Sequence, residues 1–146
     1  MRVDQALYQA AADLLNARYP NTGGLAAALY TADGTIYSSV HFQPEWGPGG
    51  LCAETGALLE AHKFNKQVTA ILCVSRLSGD SPIVIATPCG LCQERLFHWG
   101  QNLEVAVADP NDGSRWLAKS LYEIQPYYWA SVFGNDLGAT SLRNDG

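Results

Sequence analysis

Four cysteines and one glutamate are the residues of this chain whose types and spacing carry the most chemistry. Cys89 and Cys92 stand in Thr87-Pro88-Cys89-Gly90-Leu91-Cys92, a C-x-x-C pair directly behind a proline. Cys52 lies upstream in Cys52-Ala53-Glu54. A lone C-x-x-C reads either as a redox pair or as part of a zinc site. The redox reading leaves Cys52 and Glu54 unexplained. A structural zinc site is closed by four protein ligands. The one further cysteine, Cys73, falls in an apolar run and reads as a small buried hydrophobe. Three thiolates with no obvious fourth ligand form the open arrangement of a catalytic zinc, which lowers the pKa of a bound water to about 7. Glu54, two residues after one ligand, is within reach of that water and suits general acid/base work. The bland alternative for Glu54 is a first-turn acid that complements a helix dipole.

These residues need elements to hold them. Residues 4–18 read as an amphipathic helix with Asp4 as its N-cap, ended by Tyr19-Pro20. Residues 25–31 and 35–40 read as two strands joined through Asp33-Gly34, a pair suited to a tight hairpin. Residues 41–50, rich in Pro and Gly, form a loop. Residues 52–63 are helical, and Gly56 within them suggests close packing at that face. Residues 68–75 are a nearly continuous apolar run, as expected of a central strand covered on both faces. A short strand at 83–86 leads into Thr87-Pro88-Cys89, and 90–99 form a helix. Residues 103–108 and 115–119 are strands around a turn at 109–113, and a short helix near 121–124 stops at Pro126. Both cysteine segments thus fall at helix N-termini, where free N–H groups and the dipole favour thiolates. An initial hairpin joined to alternating strands and helices predicts an α/β fold, a mixed sheet with helices on both faces in three α/β/α layers.

Composition narrows the partners. The chain has 146 residues, 47% of them hydrophobic and 16% charged, which argues against disorder. A chain of this length buries roughly 70% of its unfolded surface and needs no disulfides. The net charge is −5, from nine basic and 14 acidic residues with no basic run. That balance disfavours a polynucleotide partner. No apolar run approaches the ~18 residues of a membrane span. The N-terminal stretch carries an acid and lacks the continuous apolar core of a secretory signal. A cytoplasmic setting with reduced thiols is therefore expected.

A C-x-E followed by P-C-x-x-C matches the described signature of the zinc deaminases. In these segments, and in Ala27-Ala28-Leu29-Tyr30-Thr31-Ala32-Asp33-Gly34 and Asp109-Pro110-Asn111-Asp112-Gly113, the chain resembles the cytidine deaminase superfamily, in particular the small tetrameric cytidine deaminases and blasticidin-S deaminase. The likeness spans about residues 26–126. It implies a cytidine-deaminase-like fold with a mixed five-stranded sheet; the length and the lack of a linker read as one domain over 1–130, and the small, polar C-terminal tail over 131–146 is expected to be loosely ordered. The resemblance implies Zn²⁺ held by Cys52, Cys89 and Cys92, with Glu54 as the proton shuttle. It further implies that the Ala53 backbone binds the ring carbonyl of a pyrimidine and the Thr87 carbonyl binds the leaving amine. A homotetramer, a small-molecule nucleoside substrate and a role in pyrimidine salvage follow from the same resemblance. Two further readings stay open: the same chemistry on a modified cytosine or blasticidin-like ring, and a non-catalytic zinc or nucleoside-binding protein.

The chain also departs from the family pattern. Where that pattern has an Asn-x-Glu pair for the ribose hydroxyls, this chain has His41 and Gln43. An aromatic residue usual before the first strand is replaced by Gly23 or Gly24. Arginines usual after C-A-E and after the second cysteine pair are Thr55 and Gln93. Zn²⁺ with three thiolates is net −1, and Arg95 is the nearest basic residue to offset it. Trp46, in a long loop, is a candidate lid over the substrate or an interface aromatic. Tyr127, Tyr128 and Trp129 occupy the region where C-terminal aromatics of the family help line a site.

Overall fold

Asp4 precedes the first apolar-periodic stretch, and its Oδ1 accepts the Leu7 N–H at 2.9 Å, capping α1 (Gln5–Arg18). The structure is a computed structural model that describes residues 2–133. Leu7, Ala11 and Leu15 recur at helical spacing and are buried against the sheet. β1 (Gly24–Thr31) and β2 (Ile36–Val40) pair antiparallel, with Ala26 opposite Val40. Gly34 in their turn has φ +84°, the conformation an Asp-Gly turn requires. Then follow α2 (Glu54–Lys63), β3 (Val68–Arg76), β4 (Val84–Ile85), α3 (Gly90–Leu96), β5 (Glu104–Asp109), β6 (Asp112–Ser120) and α4 (Leu121–Ile124). Single 3-10 turns occupy Phe97–Trp99 and Trp129–Phe133.

The sheet runs β2-β1-β3-β5-β6, with β4 attached to β3 as a sixth strand. β3 and β5 are parallel and the other pairs antiparallel, which makes the sheet mixed. α1 packs on one face against Ala26, Ala28, Leu72 and Val74. Residues Leu58, Ala61 and Leu96 of α2 and α3 cover the other face, against Leu29, Ile71 and Val105. The alternation along β1 and β3 thus serves two buried faces at once, and the three-layer α/β/α arrangement is present. Two elements differ from the sequence expectation. The helix expected over 90–99 ends at Leu96 and tightens into a 3-10 turn. β6 begins at Asp112, inside the expected turn, because Pro110-Asn111 suffices as a two-residue connection and the Asn111 N–H bonds Asp109 Oδ1 at 2.9 Å. Of the expected C-terminal tail, residues 131–133 belong to the last 3-10 turn, and the rest lies outside the described residues.

Two features of this frame set the geometry of the cysteines. The edge of β3 is shared: β5 pairs with Ala70 and Ile71, and β4 with Val74 and Ser75. The Ala86 N–H then bonds the Cys73 carbonyl at 2.9 Å, steering Thr87-Pro88-Cys89 toward the start of α2. The second feature is Ser39 of β2. Its hydroxyl donates to the Ala53 carbonyl and accepts the Ala57 N–H at 2.9 Å, splicing a strand into the first turn of α2. Gly56 makes this approach possible, since a Cβ there would lie 2.8 Å from Ser39 Cβ. Gly56→Ala gains about 1 kcal/mol of helix propensity. Overpacking against Ser39 costs roughly 1–3 kcal/mol. The expected outcome is a net loss of stability in urea unfolding, whereas a free helix surface would give a gain.

Candidate active site

α2 and α3 start close together, and the three expected cysteine ligands sit at their first turns. Cys52 and Ala53 lead into α2, and Cys89 is the N-cap of α3, its Sγ accepting the Cys92 N–H at 3.5 Å. The Sγ atoms of Cys52, Cys89 and Cys92 all lie within 4.8 Å of one another. Cys52 and Cys89 are 3.4 Å apart at sulfur. Cys92 Sγ lies 3.4 Å from Glu54 Oε2, and Glu54 is only 5% exposed.

The protonation chemistry of this group points to a cation. Burial pushes the Cys52 thiol up, and neighbouring Cys89 adds to the rise. Burial, then the Glu54 charge, pushes Cys92 far above an ordinary thiol. At Cys89 burial also acts upward, but the Cys92 N–H, the neighbouring thiols and the Leu91 N–H outweigh it and hold the thiol low. Three thiolates beside a carboxylate therefore need a bound positive charge to ionise together. Sulfur ligands about 2.3 Å from a tetrahedral zinc lie roughly 3.8 Å apart, close to the separations found here. The donor set fits the soft, thiolate-rich chemistry of zinc and leaves a position for a non-protein ligand.

A cavity of about 420 Å³ opens beside the thiols. Cys52, Ala53, Glu54, Thr87 and Cys89 line it, and His41, Gln43, Gly50 and Leu51 form its rim on the long loop. The Thr87 hydroxyl accepts the Ala108 N–H at 3.0 Å, and Gln93 donates to the Pro88 carbonyl at 2.8 Å. Both bonds steady the segment before Cys89. A larger apolar groove of about 530 Å³ lies over Leu58, Leu59 and Trp99 and contains none of the thiols. Trp46 does not line the thiol cavity; it is 84% exposed on the loop beyond the Phe42–Leu51 bridge. Tyr128 stacks on Phe97 at 3.6 Å, and Tyr128 and Trp129 both donate to Glu94, so these aromatics clamp the C-terminal segment onto α3. Tyr127 is exposed. Arg95 donates to Thr55 Oγ1 at 3.0 Å, which ties its guanidinium to the residue after Glu54.

Sequence reading missed part of the wall. Leu25, Cys73 and Ala86 also face the cavity. Cys73 is buried, as expected, yet it pairs in register with Ala27 and packs with Ala53. The signal was its parity with Ile71 on β3, which puts both on the α2 face. Ser39 gave no signal, because its partners are backbone atoms of a distant turn.

No protein-family model matches the chain. Its fold is similar to solved structures. A crystal structure of the cytidine deaminase from Bacillus anthracis aligns with a TM-score of 0.84 and 43% identity, over 88% of this chain and 91% of that one. The cytidine deaminase from Burkholderia pseudomallei aligns with a TM-score of 0.64 and 25% identity, over 86% of this chain and 98% of that one. The cytidine deaminase from Mycobacterium leprae shares the fold at a TM-score of 0.63 and 21% identity, over 83% of this chain and 95% of that one.

The thiol environments predict an order of reactivity in chelator-treated protein. Cys89, exposed and with a lowered pKa, is alkylated first and stays reactive below the pH at which ordinary thiols lose their thiolate. Cys52 follows, and Cys73, buried and pushed up, reacts only on unfolding. Peptide mass spectrometry over a time course checks this; early labelling of Cys73 would contradict it.

Proposed function

Because the chain belongs to the cytidine deaminase superfamily, we propose that it hydrolyses the exocyclic amine of cytidine or deoxycytidine, giving the uridine product and ammonia. The observation that carries this reading is a buried carboxylate, Glu54, touching one of three clustered thiols at the wall of a nucleoside-sized cavity. Cys52, Cys89 and Cys92 are the residues that would hold zinc. When bound, zinc supplies Lewis acidity and a water acidic enough to ionise near neutral pH.

The chain's own residues account for the rest. Glu54 takes the proton from the attacking water and passes it to the ring nitrogen. It then carries the second proton to the departing amine, so that a C–O bond forms, the C–N bond breaks and ammonia leaves. Its burial keeps bulk water out of these transfers. The Ala53 backbone N–H binds the ring carbonyl, and the Thr87 carbonyl accepts from the amine. His41 and Gln43 contact the sugar from the rim. Trp46, exposed at the loop tip, covers the mouth of this site or that of a second subunit. Exposed Phe42, Leu51, Leu59 and Leu91 support a homotetrameric assembly. The −5 charge favours a small nucleoside over a polynucleotide. Among the described residues no helix is long and apolar enough to cross a membrane. Four free cysteines suit a reducing cytoplasm.

A second reading, deamination of a modified cytosine nucleoside or a blasticidin-like ring, is favoured by one observation: the rim carries His41 and Gln43 in place of the family's ribose pair. Metal analysis is expected to find one zinc per chain. Glu54→Gln should keep that zinc and lose on the order of 10²–10⁴-fold in turnover. Full activity in this variant would remove Glu54 from the mechanism. Ammonia release across a panel of amino-substituted nucleosides separates the two substrate readings, and light scattering tests the tetramer.

A further inference from the structure

β2 ends at Val40, and the next residue stands at the cavity rim. Leu25 of β1 turns both its backbone polar groups toward that residue. The Leu25 carbonyl accepts the His41 backbone N–H at 3.2 Å. The Leu25 N–H, which has no strand partner beyond the end of β2, is taken by His41 Nδ1 at 3.2 Å. The same carbonyl lies 3.4 Å from Nδ1, but a proton on Nδ1 would meet the Leu25 N–H head-on, and the contact with that N–H is the shorter of the two. The ring therefore accepts at Nδ1, and a neutral imidazole that accepts at one nitrogen carries its proton on the other. Among the described residues Nε2 has no hydrogen-bond partner.

A second group fixes the plane of the ring. Tyr19, at the end of α1, stacks on His41 with centroids 5.2 Å apart and planes at 29°. Its hydroxyl donates to the His41 carbonyl at 3.4 Å. Gly24 leaves the room for this: a Cβ there would fall 2.5 Å from Tyr19 Cδ2.

We propose that Tyr19 is a positioning residue which, together with the Leu25 N–H, locks His41 in the Nε2–H tautomer and presents that donor to an acceptor oxygen on the sugar of the substrate. This rests on the nucleoside reading of the cavity. Tyr19 touches no substrate; it acts through His41. The device makes the rim at His41 a donor of fixed direction, selecting a hydroxyl or other acceptor oxygen and rejecting a sugar substituent that only donates.

Two measurements test the halves separately. Nitrogen-15 NMR of the histidine rings in the zinc-loaded protein reads the tautomer, with the His41 signals assigned by their loss in His41→Asn. The expected result is an Nε2–H ring that becomes a mixture of tautomers in Tyr19→Leu and stays fixed in Tyr19→Phe. Steady-state kinetics should show KM raised about tenfold in Tyr19→Leu, the worth of roughly one hydrogen bond, with kcat within about twofold. Tyr19→Phe should stay near the parent. Gly24→Ala pushes on the same ring from the strand side and should raise KM likewise, which keeps the test open if Tyr19→Leu does not fold. An Nδ1–H ring in the parent protein overturns the inference, as does an unchanged KM in both Tyr19→Leu and Gly24→Ala. If no nucleoside is turned over, the proposed function and the substrate half of this inference fail together, and the tautomer half is still decided by NMR.

Discussion

Three thiols within 4.8 Å of one another, one of them against a buried carboxylate, cannot all ionise without a cation among them. Most of the local architecture serves that constraint. Two helices begin at the same place, where first-turn N–H groups left free by the helix can face sulfur. Cys89 uses this directly, as the N-cap of α3. Ala53, the N-cap of α2, gives that helix no side-chain cap, and the Ser39 hydroxyl from β2 instead bridges the Ala53 carbonyl and the Ala57 N–H at its start. The first turn that carries Glu54 is therefore fastened to the sheet and not left to fray. On the other side, β4 needs only two residues, since its task is to set the direction of Thr87-Pro88-Cys89.

The parts of this design that were legible in the sequence are those with local signals. Asp4, Asp33-Gly34 and the apolar run of β3 each mark an element by capping, turn or burial chemistry within a few residues. The cysteine set was legible because soft ligands at fixed spacing have few other uses. What stayed hidden depends on contacts between distant segments. Ser39 reads as an ordinary strand serine until the start of α2 is laid beside it. Cys73 reads as core, and it is core, yet the divergence of β4 and β5 along the edge of β3 opens a cavity next to it. Trp46 reads as a candidate lid or interface aromatic by loop position alone, and within one chain it is exposed and does not line the thiol cavity.

Two departures from the family pattern fit the packing around them. A side chain at Gly23 would bring Cβ within 2.3 Å of the Leu77 carbonyl oxygen, and one at Gly24 would strike Tyr19. Neither position admits the usual aromatic, and Tyr19 brings an aromatic ring to the cavity rim from the end of α1. Likewise the arginine absent at position 55 has a counterpart in Arg95, whose guanidinium bonds Thr55. In both places a side chain of the usual type lies beside the departing position but comes from a different element.

The thiol cluster and the cavity rim consequently sit on parts of different rigidity. The thiols and Glu54 are borne by helix starts that are capped, spliced to a strand and held against a buried sheet face. Gln43 and Trp46 belong to a loop rich in Pro and Gly, closed at its neck by the Phe42–Leu51 pair with bonds of 3.0 and 2.8 Å. His41 lies just before that neck, and its ring is tied to β1 and to α1. It is thus a rim residue that shares the rigidity of the elements bearing the thiols. A loop can change its tip without disturbing the thiol cluster, but a change at His41 must be matched at Tyr19 and Gly24. The part of the cavity rim nearest the sheet is accordingly fixed by the fold, while its outer part is left to the loop.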